Sequence, residues 1–192
     1  VDIILAVDVF AHILWTGGIA KTINNKRKIK EIKPLSIFWT SFWGVAPDLF
    51  AFGPAFFLMF IGLLTGSFHL SSIPQPDFHG TEDHPEGSFP YASLSFALYN
   101  ISHSIIIFML VFVLIWIIRR VPYVELSGWL LHILIDIPTH SSAVYPTPFL
   151  YPLSSFKISG ISWSEPWFMF FNYGALLLFF LCLGFSKRKK LL

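Results

Sequence analysis

Long apolar stretches at residues 3–20, 35–66, 94–118, 123–137 and 165–186 alternate with polar or turn-rich intervals along this 192-residue chain. At about 1.5 Å per residue, helices of these lengths reach into or across a hydrocarbon core about 30 Å thick. The pattern predicts an all-α integral membrane bundle of about five transmembrane segments, forming one membrane-embedded domain over residues 1–192. Gly17-Gly18 is expected to end the first helix, and Pro34 to open the second passage. That passage is too long for one straight span. Gly44-Val-Ala-Pro47-Asp48 and Gly53-Pro54 interrupt it, so a broken or re-entrant element is expected there. The fourth helix is expected to stop near Pro138, because a residue preceding proline resists the helical conformation. Residues 67–92 and 138–163 read as loops.

Composition sharpens this picture. Charged residues make up 12% of the chain, against about 25% in soluble domains. Twelve of the 13 basic residues lie in three clusters: Lys21 to Lys33, Arg119-Arg120 and Lys187 to Lys190. Acids and histidines crowd the interval from His69 to Glu86. The positive-inside rule puts the basic clusters in the cytoplasm and the His/Asp/Glu loop on the other side. Lys26-Arg-Lys-Ile-Lys30 reads as a topology determinant that contacts anionic membrane lipid, not as a nucleic-acid site. The first apolar run lacks a basic start and a small-residue cleavage site, so it is expected to be a retained helix, not a signal peptide. The single cysteine, Cys182, allows no internal disulfide or thiolate metal site and is expected to be packed inside.

The polar residues inside the apolar stretches carry the candidate chemistry. His132 and Asp136 are one turn apart on one helix face, and His140 follows at the next interval of four. An imidazole and a carboxylate so placed can ligate one ion, or the carboxylate can bridge two. A hydrogen-bonded His–Asp pair inside a bundle satisfies the same spacing. His12 lies mid-span, with Asp8 one turn before it as an interfacial acid or hydrogen-bond partner. Asp48 follows a proline at a helix interruption, where capping and metal ligation are both open to it. His103 sits in Asn100-Ile-Ser-His-Ser104. His69, Asp77, His79, Asp83, His84 and Glu86 read as a hydrated loop. Glu165 starts the last helix, as first-turn acids ordinarily do; Trp163, Trp167 and Phe168 beside it read as an interfacial aromatic belt. There is no nucleophile elbow, His-Glu-x-x-His, phosphate-binding loop or dinucleotide fingerprint.

The ordered set of His12, Gly44-x-x-Pro47-Asp48, Ser102-His103-Ser104, Gly128-Trp-x-x-His132-x-x-x-Asp136-x-x-Thr139-His140, Tyr151-Pro-Leu-Ser154 and Trp163-Ser-Glu165-Pro166 is similar to a known pattern. It resembles the bacterial inner-membrane-bound, metal-dependent hydrolases, some of the LexA-regulated type, a family distantly similar to zinc-dependent phospholipase C. The resemblance spans roughly residues 8–170. It implies that His12, Asp48, His103, His132 and Asp136 are metal ligands, with Asp136 able to bridge. The outer histidines of the soluble phospholipases have no counterpart beyond His140, which implies one or two ions instead of three. Zinc, manganese and iron all suit such N and O donors. His140 or Glu165 would act as general acid or base, on a small-molecule or lipid substrate carrying a phosphoester. A metal transporter or a bis-histidine haem protein would also bury histidines in helices.

Overall fold

The computed structural model describes residues 2–27, 33–69, 91–142 and 145–188, with the side chains of residues 2–8 and 186–188 outside that description. All its regular elements are helical: α1 (Asp2–Lys26), α2 (Ile37–Thr65), α3 (Ala92–Ser102), α4 (Ile105–Arg119), α5 (Ser127–Thr139) and α6 (Pro166–Arg188). A single 3-10 turn, Val124–Leu126, leads into α5. Among the described residues, α2 and α6 are long and apolar enough to cross a membrane, and α3 with α4 makes a third candidate span bent by 60°. The 13 residues of α5 reach only about 20 Å.

The expected break in the second passage is not there. Helix α2 runs unbroken for 29 residues with Pro47 and Pro54 inside it. Around Pro47 a neighbouring helix bonds to the loosened turn, His132 Nδ1 lying 2.8 Å from Gly44 O, the kind of contact by which membrane helices tolerate proline. The break falls instead in the third passage, at His103-Ser104. Ser104 leaves the helical conformation (φ −98°, ψ 125°), and its hydroxyl accepts the Ile107 amide, starting a new helix. Its Oγ also donates to Tyr151 O, and Ile105 N to Phe149 O at 3.0 Å, so the loop after α5 anchors the new helix start. Helix α5 carries through Pro138 to Thr139, one residue beyond the expected stop.

Small residues set how closely the helices pack. A Cβ on Gly44 would stand 2.3 Å from Thr16 Oγ1, and one on Gly128 would stand 2.1 Å from Thr40 O. Thus α1 crosses α2, and α2 crosses α5, at nearly bare backbone, as in tightly packed membrane helices. Large apolar residues lie outside: Phe38 is 69% exposed, Phe57 63% and Phe170 76%. Exposed aromatics over a small-residue, polar interior are what a lipid solvent permits and water does not. Among the described residues a large-residue core, Phe108, Leu126 and Ile133 with Trp43 and Trp129 around it, pins α4 and α5 together. Cys182, expected inside, is exposed on α6.

Helix directions follow from the contacts. Asn24 pairs through its side-chain amide with both backbone groups of Leu35, at 2.9 Å each, closing the turn from α1 to α2. Ser36 N donates to Glu125 Oε1 at 3.3 Å, so the start of α5 lies at that same end. Trp15 Nε1 donates to Asn172 Oδ1, and Gly18 abuts Phe179, so α6 runs parallel to α1. The ends of α1, α4 and α6 that border the three basic clusters therefore share one end of the bundle.

Candidate metal centre

Four positions in the bundle deliver the polar residues to one point. His12 comes from α1, Asp48 from α2, His103 from the α3–α4 break, and His132 and Asp136 from α5. Counted along α2 from Ser36, Asp48 lies about 18 Å from the basic end of the bundle. His12, His103, His132 and Asp136 are buried, and Asp48 is 16% exposed.

Asp136 is the hub. Its Oδ1 lies 3.0 Å from His12 Nε2, and its Oδ2 lies 3.2 Å from His103 Nε2 and 3.1 Å from His132 Nε2. Asp48 Oδ1 closes the other side, 3.4 Å from His103 Nε2 and 3.6 Å from His132 Nε2. The two imidazole Nε2 atoms are 3.0 Å apart.

The far side of each ring fixes which nitrogen faces inward. Pro47 offers no N–H to the preceding turn of α2, and in that turn Gly44 O accepts from His132 Nδ1 at 2.8 Å. His103 Nδ1 donates to Tyr99 O at 3.2 Å, with Ser102 Oγ 2.9 Å away. A carbonyl only accepts, so each Nδ1 carries its hydrogen and each neutral ring turns an Nε2 lone pair inward. Tyr99 stacks on His103 at 3.7 Å between ring centres, and the rings of His12 and His132 lie 4.0 Å apart.

Lone pairs and carboxylate oxygens at these distances cannot satisfy one another. Asp136 Oδ1 accepts no hydrogen bond from any described residue. No Lys or Arg among the described residues pairs with either carboxylate. Positive charge, as protons or as a cation, has to sit among these atoms. A metal fits. For metal–N and metal–O bonds of about 2.0–2.2 Å, neighbouring ligand atoms stand roughly 2.8–3.6 Å apart, depending on angle. Two overlapping triads can hold an ion, His12–His132–Asp136 and Asp48–His103–His132, each with its ligand atoms within 4.8 Å of one another. His132 Nδ1 is committed to Gly44, so that residue serves one ion. Asp136, with Oδ1 beside His12 and Oδ2 beside His103 and His132, is placed to serve two. A haem between two of these rings does not fit, because Asp136 occupies the space beside them.

His140 caps α5 and is buried against the cluster. Its Nδ1 donates to Asp136 O at 3.2 Å and lies 3.9 Å from Asp136 Oδ1. Glu165 stands exposed at the start of α6, its amide bonded to Ser162 O at 3.1 Å, and no described contact joins its carboxylate to the cluster. Trp163, placed in an exposed belt by the sequence, is buried, its amide on Thr139 O at 2.8 Å. Asp77, His79, Asp83, His84 and Glu86 lie outside the described residues, as does the Asp8 side chain; His69 is exposed. Sequence reasoning missed Gly44 O and Tyr99. The signal for Tyr99 was its position one turn before His103; Gly44 O required knowing how α5 crosses α2. No protein-family model, curated protein or solved structure matches this chain.

Proposed function

We propose that this chain is a membrane-embedded, metal-dependent hydrolase acting on a phosphoester or lipid-like substrate. One observation carries the reading. Three inward-facing imidazoles and two carboxylates from four parts of the helical bundle converge on one buried point, with 3.0–3.6 Å between the nearest donor atoms. Asp48, His103 and His132 would hold one ion together with Asp136, and His12 with the other oxygen of Asp136 would contribute to a second. Zinc is the metal such a donor set suits best, with manganese or iron as alternatives. A bound ion of this kind lowers the pKa of water and polarises a scissile phosphoryl or carbonyl group.

The residues around it have distinct duties. Gly44 O, Tyr99 O and Ser102 Oγ orient the imidazoles. Asp48, the least enclosed of the five, marks the side from which substrate enters. His140, with Nδ1 held by Asp136 O, keeps Nε2 available to take or give a proton; Glu165 would act from the exposed start of α6. We further infer that all five apolar stretches lie in a bacterial inner membrane, with the basic end cytoplasmic and substrate entering from the extracytoplasmic half.

Elemental analysis of the purified wild type against H132A and D136A tests the site. Bound metal near stoichiometric in the wild type and lost from both variants is expected; metal retained in both overturns it. Turnover is read separately, on phosphodiester, phosphomonoester, amide and lipid substrates with and without chelator. Metal bound without chelator-sensitive hydrolysis would replace the enzyme reading with one of metal binding or transport.

A further inference from the structure

Between α1, α2 and α6, on the half of the bundle nearer the basic end, runs a groove of about 270 Å³ that the metal chemistry does not use. Its floor is made by Gly17 and Gly18, where α1 shows only backbone. A Cβ on Gly17 would stand 2.4 Å from Ser41 Oγ, and one on Gly18 2.4 Å from Phe179 Cε1, so the helices close beneath the groove. Leu14, Ile37 and Phe180 line its walls. Ser41, also in the wall, has its hydroxyl turned to Ile13 O at 3.3 Å.

The charged group in the lining is Lys21, half-buried, one turn beyond Gly17 toward the basic end. Among the described residues no carboxylate pairs with it. An apolar trough with an unpaired ammonium at its interfacial end matches one class of molecule in a bilayer, an anionic lipid lying tail-inward. The volume has room for a segment of an acyl chain. Lys26 and Arg27, where α1 ends beyond Lys21, add positive charge on that side for an anionic head group.

We propose that this groove binds one acyl chain of an anionic glycerophospholipid, with the lipid phosphate against Lys21. The proposal rests on the membrane placement of α1, α2 and α6 and not on the metal reading. It is tested on the full chain by native mass spectrometry after delipidation. Equimolar phosphatidylglycerol and phosphatidylcholine with identical acyl chains are added back, and the metal content of the same samples is recorded.

The wild type is expected to retain one phosphatidylglycerol at least fivefold over phosphatidylcholine. In K21Q the two lipids come to within twofold of each other, whereas K21R and the loop control K157Q keep the preference. L14W, which fills the trough without touching charge, lowers retention of both lipids. Equal retention by the wild type, or an unchanged preference in K21Q, overturns the proposal. Should K21Q fail to fold, unchanged phosphatidylglycerol retention in L14W overturns it. Metal content is expected to stay at wild-type level throughout, so failure of the lipid site and failure of the metal site read out separately.

Discussion

His103 is held from behind by two oxygens, Tyr99 O and Ser102 Oγ, and only the second can be removed by mutation without touching the backbone. Losing one of two outer partners is expected to cost S102A about tenfold in metal affinity, the low end for such contacts. H103A should bind no metal above background in the same chelator-competition titration. Equal affinities for S102A and wild type would mean that the hydroxyl does not orient the ring. At this scale much of the site was legible. Histidines and aspartates are so costly in an apolar stretch that each pointed to a partner. Their pairing was not legible, because Asp136 meets His12 and His103 through helix crossings and not through spacing along the chain. Glu165 is a different case: at an exposed helix start a carboxylate needs no partner, so burial cost does not point to its role.

Helix crossings depend on positions where a side chain is missing. Gly128→Ala would put a methyl group 2.1 Å from Thr40 O and 3.0 Å from Gly44 N, both backbone atoms that cannot step aside. A loss of about 1–3 kcal/mol is expected from overpacking. Because Gly44 O also holds His132, metal affinity should fall with it. Gly53→Ala meets nothing within 4 Å and is expected to be neutral or stabilising by up to about 1 kcal/mol, the ordinary gain from replacing a mid-helix glycine. Thermal unfolding of the two variants in one detergent separates them; similar melting points would remove the crossing argument. The misplaced break has the same origin. Pro47 and Gly53-Pro54 look like interruptions in the sequence, whereas the largely apolar stretch 94–118 hides the real one at Ser102-His103-Ser104. Proline weakens one turn and lets neighbours compensate, but a serine that caps a new helix requires the old one to end.

At the scale of the whole molecule, the three basic clusters adjoin helix ends that the packing brings to one side, and the positive-inside rule would make that side cytoplasmic. With Cys182 replaced by serine, a lone cysteine at Lys33 or Val121 should react with an impermeant maleimide only in inverted vesicles, and one at Ser142 or Lys157 only in right-side-out vesicles. Labelling of both pairs from the same side would refute that topology. Stability should depend on the ion as well. At a metal concentration a hundredfold over its dissociation constant, chelation is expected to lower Tm by roughly 5–10 °C in the wild type. D136A should show no such shift. The order in which the ligands occur along the chain has a further effect. His12 and Asp48 precede the long interval between α2 and α3, whereas His103, His132 and Asp136 follow it. Each of the two triads takes one ligand from the first half, so the full set is complete only after a ribosome has released both. Tight cofactor loading is thereby made a checkpoint on finished assembly: halves produced separately should each hold metal far more weakly than the whole chain, and their reunion in one bilayer should recover its affinity.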